Sequence, residues 1–180
     1  DDIALITRVK NLARLKALND EMMQRMSSGD QWPKAESGGR ILLVEDSVRT
    51  ARLILAALGK QHEVQVEPSV PAAVAHLADK PCDLIIVSLN LAAADGLLLC
   101  SQLRASERTP HLPIIVIVQP GEDARLLRAL DLGVNDYLTR PVDRNELLAR
   151  VRTQIRRKGH SDYLRERLEE SVELPLTGAA

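Results

Sequence analysis

Polar residues stand directly after three strand-like runs of this 180-residue chain, at places where chemistry collects in α/β proteins. Glu45 and Asp46 follow Ile-Leu-Leu-Val, Ser88 follows Leu-Ile-Ile-Val, and Arg140 follows Asp-Tyr-Leu-Thr. In an open α/β sheet, ligands bind outside the carboxyl ends of the strands. Ser88 holds such a position after a strand that reads as buried on both faces, so its side chain decides what that position can do.

The elements that must position these residues alternate between strand and helix patterns. Apolar runs predict five strands, Ser47, Ser69 and Pro71 suit helix starts, and Gly133 fits a helix C-terminal cap. The predicted strands are 41–45, 62–67, 84–87, 114–118 and 136–139, and the predicted helices are 47–58, 69–78, 96–104, 121–131 and one from about 143. This alternation predicts an α/β domain of about 120 residues with a five-stranded, parallel, doubly wound sheet.

Composition restricts the classes of partner. The formal net charge is −1, which gives no argument for binding to nucleic acid or to a membrane surface. No apolar run approaches the roughly 20 residues of a membrane helix, and no signal peptide is visible. Cys82 and Cys100 are expected to be reduced packing thiols, and the four histidines show no ligand spacing. We therefore expect a cytoplasmic protein with no nucleic-acid partner, no membrane partner and no cofactor.

A repeat relates the start of the chain to its last predicted helix. The segment 7–16 matches 149–158 at a constant offset of 142 positions. Residues 1–26 are therefore interpreted as the last helix of a preceding module, and the Ser-, Gly- and charge-rich segment 27–39 as a linker. Two amphipathic helices that are alike only in composition remain the alternative. The apolar stripe of the first helix, which we expect to dock on a partner, includes Leu5, Val9 and Leu12.

Residues 159–180 continue the helical pattern past the predicted sheet domain at 40–158. Leu164, Leu168 and Val172 recur on one helical face with Arg and Glu between them. This pattern favours a helix that leaves the domain and pairs with a second copy of itself. A solvated terminal helix is an equally open alternative.

Four sequence features, in this order, resemble a bacterial response-regulator receiver domain over about 40–156. They are the acidic pair Glu45–Asp46, the Asp95–Gly96 loop, the run Gly-Val-Asn-Asp-Tyr-Leu at 133–138, and Arg140–Pro141. The resemblance implies a CheY-like, flavodoxin-like fold. It also implies a phosphoryl-accepting aspartate at the end of the third strand, Mg²⁺ held by two acids after the first strand, a hydroxyl ending the fourth strand, and a lysine after the fifth.

The sequence departs from that family pattern at the decisive positions. The acceptor aspartate falls on Ser88, the hydroxyl residue on Val118 and the lysine on Arg140, while Ala92 replaces the usual loop proline. Serine has no carboxylate to form an acyl phosphate, and valine cannot hydrogen-bond a phosphoryl oxygen. The resemblance therefore implies a pseudo-receiver, a receiver-like domain that no longer takes phosphate.

The remaining family positions carry weaker implications. Glu45 and Asp46 are retained, and Asn90 stands where the family offers a carbonyl to the metal. A solvated acidic pair is expected there, with a weak Mg²⁺ site as the open alternative. Tyr137 holds the aromatic position that reorients in switching receivers, and we expect it instead to pack on the sheet.

The order of modules resembles the PleD-type diguanylate cyclases, which carry a receiver, a degenerate adaptor receiver and a GGDEF cyclase domain. Leu176, Thr177 and Gly178 match the start of such a cyclase domain, which we expect to lie beyond this chain. The resemblance implies a non-catalytic adaptor that docks on the preceding receiver and on the GGDEF domain and forms a homodimer in cyclic di-GMP signalling.

Two other functions remain open. The chain could be an active phosphorylatable receiver that uses Asp46 or Ser88 as the acceptor. It could also be the receiver of a DNA-binding response regulator. The acidic segment Leu-Arg-Glu-Arg-Leu-Glu-Glu-Ser-Val-Glu after the last helix argues against the DNA-binding function, which requires a basic helix-turn-helix there.

Overall fold

A computed structural model describes residues 38–172, and in this part of the chain strands and helices alternate as predicted. The strands are β1 (Arg40–Val44), β2 (Glu63–Glu67), β3 (Leu84–Ser88), β4 (Ile114–Val118) and β5 (Asp136–Thr139). The helices are α1 (Val48–Leu58), α2 (Val70–Asp79), α3 (Gly96–Ala105), α4 (Asp123–Asp131) and α5 (Arg144–Val172). The helix predicted within 1–26 lies outside the described residues.

The five strands form one parallel sheet in the order β2-β1-β3-β4-β5. The chain adds β2 on one side of β1 and adds β3, β4 and β5 on the other. The connections therefore reverse direction between β1 and β3, and such a reversal opens a crevice at the carboxyl ends of the strands. All five residues of β3 are buried, and Ser88, its last residue, pairs with Ile117 of β4. The predicted fold class is confirmed.

Two apolar layers cover the two faces of the sheet. Alternate strand residues such as Val87 and Val116 pack with α2, α3 and α4, whereas Ile86 and Ile117 pack with α1 and α5. Four isoleucines of β3 and β4 are completely buried, as expected for central parallel strands that are covered on both faces: Ile85, Ile86, Ile115 and Ile117. Cys82 and Cys100 are free thiols in this packing, and burial raises the pKa of Cys82 to about 11 and that of Cys100 to about 12.

Helix ends follow the local signals in the sequence. The side chains of Ser47 and Ser69 accept hydrogen bonds from the third residue after each, as N-cap residues do. Gly133 has φ +92° and donates to the carbonyl of Leu130, while Val134 donates to that of Ala129. This pair of bonds is a Schellman motif, and it confirms the predicted C-terminal cap of α4.

Several boundaries differ from the prediction, most of them by one residue. Helix α4 begins at Asp123 rather than at 121, because Gly121 has a positive φ of +86° and cannot belong to a helix. Strand β1 ends at Val44, one residue earlier than predicted, so Glu45 follows the strand. Helix α5 continues unbroken past Gly159, so the receiver's last helix and the exit helix predicted from 159 are one element.

Candidate functional site

The guanidinium of Arg140 joins the ends of three strands at the carboxyl edge of the sheet. Its Nη2 donates to Glu45 Oε2 at 2.6 Å and to Ser88 Oγ at 2.8 Å. Its Nη1 donates to Thr50 Oγ1 at 2.7 Å. The backbone N–H of Arg140 donates to the carbonyl of Val118 at 2.9 Å, which anchors the residue beside β4. Arg140, Glu45 and Ser88, which the sequence singled out separately, are therefore in direct contact.

Glu45 is a buried, ion-paired carboxylate. Its side chain is 0% exposed, and both of its oxygens are engaged, because Oε1 accepts from the backbone N–H of Ser47 at 2.9 Å. The expectation of a solvated acidic pair is therefore wrong for Glu45. The pairing with Arg140 supplies the charge compensation that a buried carboxylate requires.

Asp46 points to a different partner. It is exposed, and its Oδ2 accepts from the backbone N–H of Ala92 at 2.7 Å, which ties the loop after β1 to the loop after β3. A Mg²⁺ ion in a receiver needs carboxylate oxygens that are free to converge on it. Both Glu45 oxygens and one Asp46 oxygen already accept hydrogen bonds, so this arrangement does not fit a resident magnesium ion. Within 38–172, no cluster of three or more His, Cys, Asp or Glu side chains is placed to hold a metal.

Thr50 is a member of the site that the sequence reasoning missed. It lies in the first turn of α1, where Ser47 caps the helix, and its backbone N–H donates to Ser47 Oγ. Its position close to the site could have been inferred, since α1 begins at the same edge of the sheet where β1 ends. Its pairing with Arg140 spans 90 residues and has no local signature.

Val118 and Tyr137 occupy the two remaining positions of the family pattern. Val118 ends β4, is only 3% exposed and offers no polar side-chain atom to the cluster. Tyr137 is half-buried against the apolar layer, as expected for an aromatic residue that packs on the sheet. The guanidinium of Arg150 lies 5.6 Å from the centre of its ring, which adds a cation–π contact.

A second network surrounds Arg125, which the sequence analysis did not single out. Its guanidinium donates to the carbonyl of Leu89 at 2.7 Å, to Glu122 Oε1 at 3.1 Å, and to the side chains of Asn90 and Asp95. Asn90 Nδ2 also donates to Glu122 Oε2 at 2.8 Å. Asn90, which the family resemblance places with Glu45 and Asp46 around a metal, therefore belongs to a separate cluster. That cluster fastens the loop after β3 to the start of α4.

Electrostatics in the second network favour its charged form. Burial raises the pKa of Glu122, but hydrogen bonds from the Gln119 N–H, Asn90 and Arg125, together with the charge of Arg125, outweigh it and leave that pKa below its ordinary value. Burial lowers the pKa of Arg125, but its bonds to Asp95 and Glu122 leave the net value raised. Because these groups remain partly exposed, solvent screens much of their attraction.

Gly96 packs closely against the end of β3, and this packing accounts for the Asp95–Gly96 pair. A Cβ atom at Gly96 would lie 2.3 Å from the backbone oxygen of Ser88, so only glycine fits against the end of β3. Asp95 caps α3 by accepting from the backbone N–H of Leu97 at 3.0 Å. The pair therefore sets the distance between α3 and the strand end that carries Ser88.

The predicted docking residues fall into two groups. Leu164 and Leu168 lie on the outer half of α5 and are 47% and 66% exposed, and Val172 is 83% exposed. Leu5, Val9 and Leu12 lie outside the described residues. In the described part of the chain, no helix is both long and apolar enough to cross a membrane.

Residues 41–152 match the family model of the response regulator receiver domain. The chain belongs to the response-regulator receiver family. This receiver is 42% identical over 185 residues to the response regulator PleD of Caulobacter vibrioides, an alignment covering 98% of this chain and 40% of PleD. It is 32% identical over 126 residues to the phosphate regulon transcriptional regulatory protein PhoB of Pseudomonas aeruginosa, covering 69% of this chain and 55% of PhoB.

Among solved structures, the receiver is similar to a putative response regulator from Chloroflexus aurantiacus. The two share 28% identity and a TM-score of 0.63, over 66% of this chain and 98% of that one. The chain spans about half the length of the curated relatives that it matches. The comparisons therefore establish a receiver of two-component signalling.

Proposed function

We propose that this receiver is a non-catalytic adaptor, which does not accept phosphate and instead positions neighbouring domains. The main support for this proposal is the environment of Ser88. Its Oγ is completely buried and accepts a hydrogen bond from Arg140 at the strand end where an acceptor aspartate belongs in the family. A neutral, buried hydroxyl held by a cation is a poor nucleophile, because among residues 38–172 its one side-chain partner is the donor Arg140, which cannot take its proton, and the cation stabilises its lone pairs.

The comparison with PleD supports a specific setting for this adaptor. The alignment extends through 98% of the chain, beyond the receiver itself. Together with Leu176, Thr177 and Gly178, it supports a parent of the PleD type, in which a GGDEF domain follows and makes cyclic di-GMP from two GTP molecules. The proposed partners are then a preceding receiver and that GGDEF domain, in the cytoplasm, with no resident cofactor or metal.

Dimerisation through the chain ends is the second part of the proposal. A cyclase that joins two GTP molecules needs two active sites facing each other, so an adaptor in front of it should bring two chains together. On the outer half of α5, Leu164, Leu168 and Val172 recur at intervals of four and remain exposed. Exposed apolar stripes of this kind favour association.

A receiver of a DNA-binding regulator is the second candidate. The 32% identity to PhoB, whose name describes a transcriptional regulator, favours it. Against it, the outer half of α5 carries Glu166, Glu169 and Glu170 where a basic DNA-binding module would be expected to approach. The alignment with PhoB covers less of this chain than that with PleD, so the adaptor remains the stronger proposal.

Two measurements test the two parts separately. Titration with beryllofluoride and Mg²⁺, followed by backbone amide shifts, should give no saturable response at Ser88 or its neighbours. A saturable response there would refute the loss of phosphate acceptance.

Sedimentation across a wide concentration range should show a reversible dimer. Replacing Leu168 and Val172 with serine should weaken it, whereas serine at Leu98, an equally apolar and 52% exposed residue on α3, should not. A chain that stays monomeric at the highest concentration would contradict the dimer.

A further inference from the structure

Glu45 poses an electrostatic problem that the fold must solve. Its carboxylate is completely buried, and an uncompensated buried charge is strongly destabilising. In a metal-binding receiver, a divalent cation in front of the first strand would compensate such a carboxylate. Here the geometry does not fit a metal, and Arg140 supplies the compensating charge.

The position of the guanidinium is fixed by four contacts. It donates to Glu45, Ser88 and Thr50, and the backbone of the same residue is bonded to Val118. The side chain of Arg140 is only 16% exposed, and its Nε finds no acceptor among residues 38–172. A planar guanidinium suits three acceptors spread in this way better than a compact ammonium would.

A cation that belongs to the chain differs from a bound ion in one respect. It does not dissociate, because its effective concentration at the site is set by the fold and not by the solution. A divalent cation would have to displace Arg140 from Glu45 while the guanidinium remained tethered within a few ångströms. Like charges at that distance repel strongly in a partly buried site.

The same residue also joins segments that are distant in the sequence. Through Arg140, the loop after β5 is bonded to the end of β3, to the segment after β1 and to the first turn of α1. The bond from Ala92 N–H to Asp46 adds the loop after β3. Contacts within the chain therefore join the loops at the carboxyl edge of the sheet to one another.

We infer that Arg140 is a built-in cation that takes the place of a divalent metal ion at Glu45, closing a cation site that its removal would open. The inference rests on the proposed function, because it explains how the site of a receiver that does not accept phosphate is kept closed to a divalent cation. It goes further, because it assigns one residue as the cause and predicts that a divalent cation will bind once that residue is removed.

The test follows Mg²⁺ or Mn²⁺ binding at residues 45–47 by amide shifts and paramagnetic broadening in the full chain. The unmodified protein should show no saturable effect there. Arg140→Met should gain saturable binding, with a dissociation constant at least about tenfold below the highest cation concentration that leaves the unmodified protein unaffected. Adding Glu45→Gln to Arg140→Met should abolish the gain.

A matched control removes a different ion-paired arginine. Arg150 pairs with Asp136 and Glu146, and Arg150→Met should leave residues 45–47 insensitive to either cation. If Arg140→Met does not fold, the unmodified protein still decides the question. Its Arg140 guanidinium protons should then be slowly exchanging and unchanged by millimolar Mg²⁺.

Three results would overturn the inference: saturable cation binding at Glu45 in the unmodified protein, a folded Arg140→Met variant without binding, or rapidly exchanging guanidinium protons that respond to Mg²⁺. None of them bears on whether the chain accepts phosphate, which is measured with phosphodonors. Conversely, a phosphorylated Ser88 would refute the adaptor proposal and leave the cation measurement standing.

Discussion

Replacing Arg140 with methionine should destabilise the receiver by about 3–5 kcal/mol, the usual cost of removing one partner of a buried ion pair. The loss should reach the upper part of that range if water cannot reach Glu45 in the variant. The side chain of Glu45 is 0% exposed in the unmodified protein. Ser88 and Thr50 also lose a donor, but each net hydrogen bond contributes only about 0.5–1.5 kcal/mol. The charge left on Glu45 should therefore dominate the loss.

The magnitude can be separated into its parts with a double-mutant cycle. Glu45→Gln removes the buried charge but keeps an oxygen that can accept the hydrogen bond from the Ser47 N–H, which is 2.9 Å long in the unmodified protein. The combined variant Glu45→Gln with Arg140→Met should therefore be more stable than the sum of the single changes implies. The expected coupling energy is about 1–3 kcal/mol, within the range for residues in direct contact.

The assay is urea unfolding followed by circular dichroism, at one fixed protein concentration because association would otherwise change the midpoint. Equal slopes for all four proteins would show that they unfold over the same surface. A loss below about 1 kcal/mol for Arg140→Met, or strictly additive single changes, would refute the assignment of Arg140 as the counter-charge of Glu45.

Further predictions concern the core, two glycines and one histidine. Ile86→Ala should cost about 2–5 kcal/mol in urea unfolding, because Ile86 is completely buried in the layer under α1 and α5, and a loss below about 1 kcal/mol would contradict that placement. Gly96→Ala should destabilise the fold by about 1–3 kcal/mol, because the new Cβ would lie 2.3 Å from the backbone oxygen of Ser88. Gly159→Ala should stabilise it by about 0.5–1 kcal/mol, because alanine favours the helical conformation of α5 and no atom lies within 4 Å of the added Cβ. Burial lowers the pKa of His62 below 6.5, and its Nδ1 accepts from the Gly39 N–H at 3.0 Å. The unfolded chain therefore binds more protons just below pH 6.5, so stability should fall as the pH drops through that region, and His62→Gln should remove this dependence.

The strand pattern was predictable because the central strands are covered on both faces. Leu84 to Val87 and Ile114 to Val118 are unbroken apolar runs, and such runs identify buried parallel strands without knowledge of their partners. Helix starts at Ser47 and Ser69 were predictable for a similar reason, since a cap is a local contact over three residues.

The contacts of the site were not predictable in the same way. The sequence placed Glu45, Ser88 and Arg140 at strand ends, but it gave no indication that a guanidinium would bridge them over separations of 52 and 95 residues. Glu45 was expected to be solvated because a lone carboxylate usually is, and only the long-range partner makes its burial tolerable. The network of Arg125 went unnoticed for the same reason, since its partners come from a different loop.

The start of α4 shows a limit of another kind. The segment from 121 carries helix-forming residues, yet Gly121 adopts a left-handed conformation and the Glu122 side chain accepts from the Gln119 N–H at 3.0 Å instead of from the helix. A glycine permits either conformation, so the sequence alone does not decide between a helix start and a turn. The choice is made by Glu122, which Arg125 and Asn90 hold in place.

Whether this receiver accepts phosphate can be decided by intact-mass measurement after incubation with acetyl phosphate and Mg²⁺, because the measurement detects a phosphoryl group on any residue. The variant that combines Ser88→Asp, Val118→Thr and Arg140→Lys restores the family pattern and serves as the positive control. We expect an unchanged mass for the unmodified chain and a phosphorylated species for that variant. A phosphorylated species in the unmodified chain, whether at Ser88 or at Asp46, would contradict the adaptor assignment.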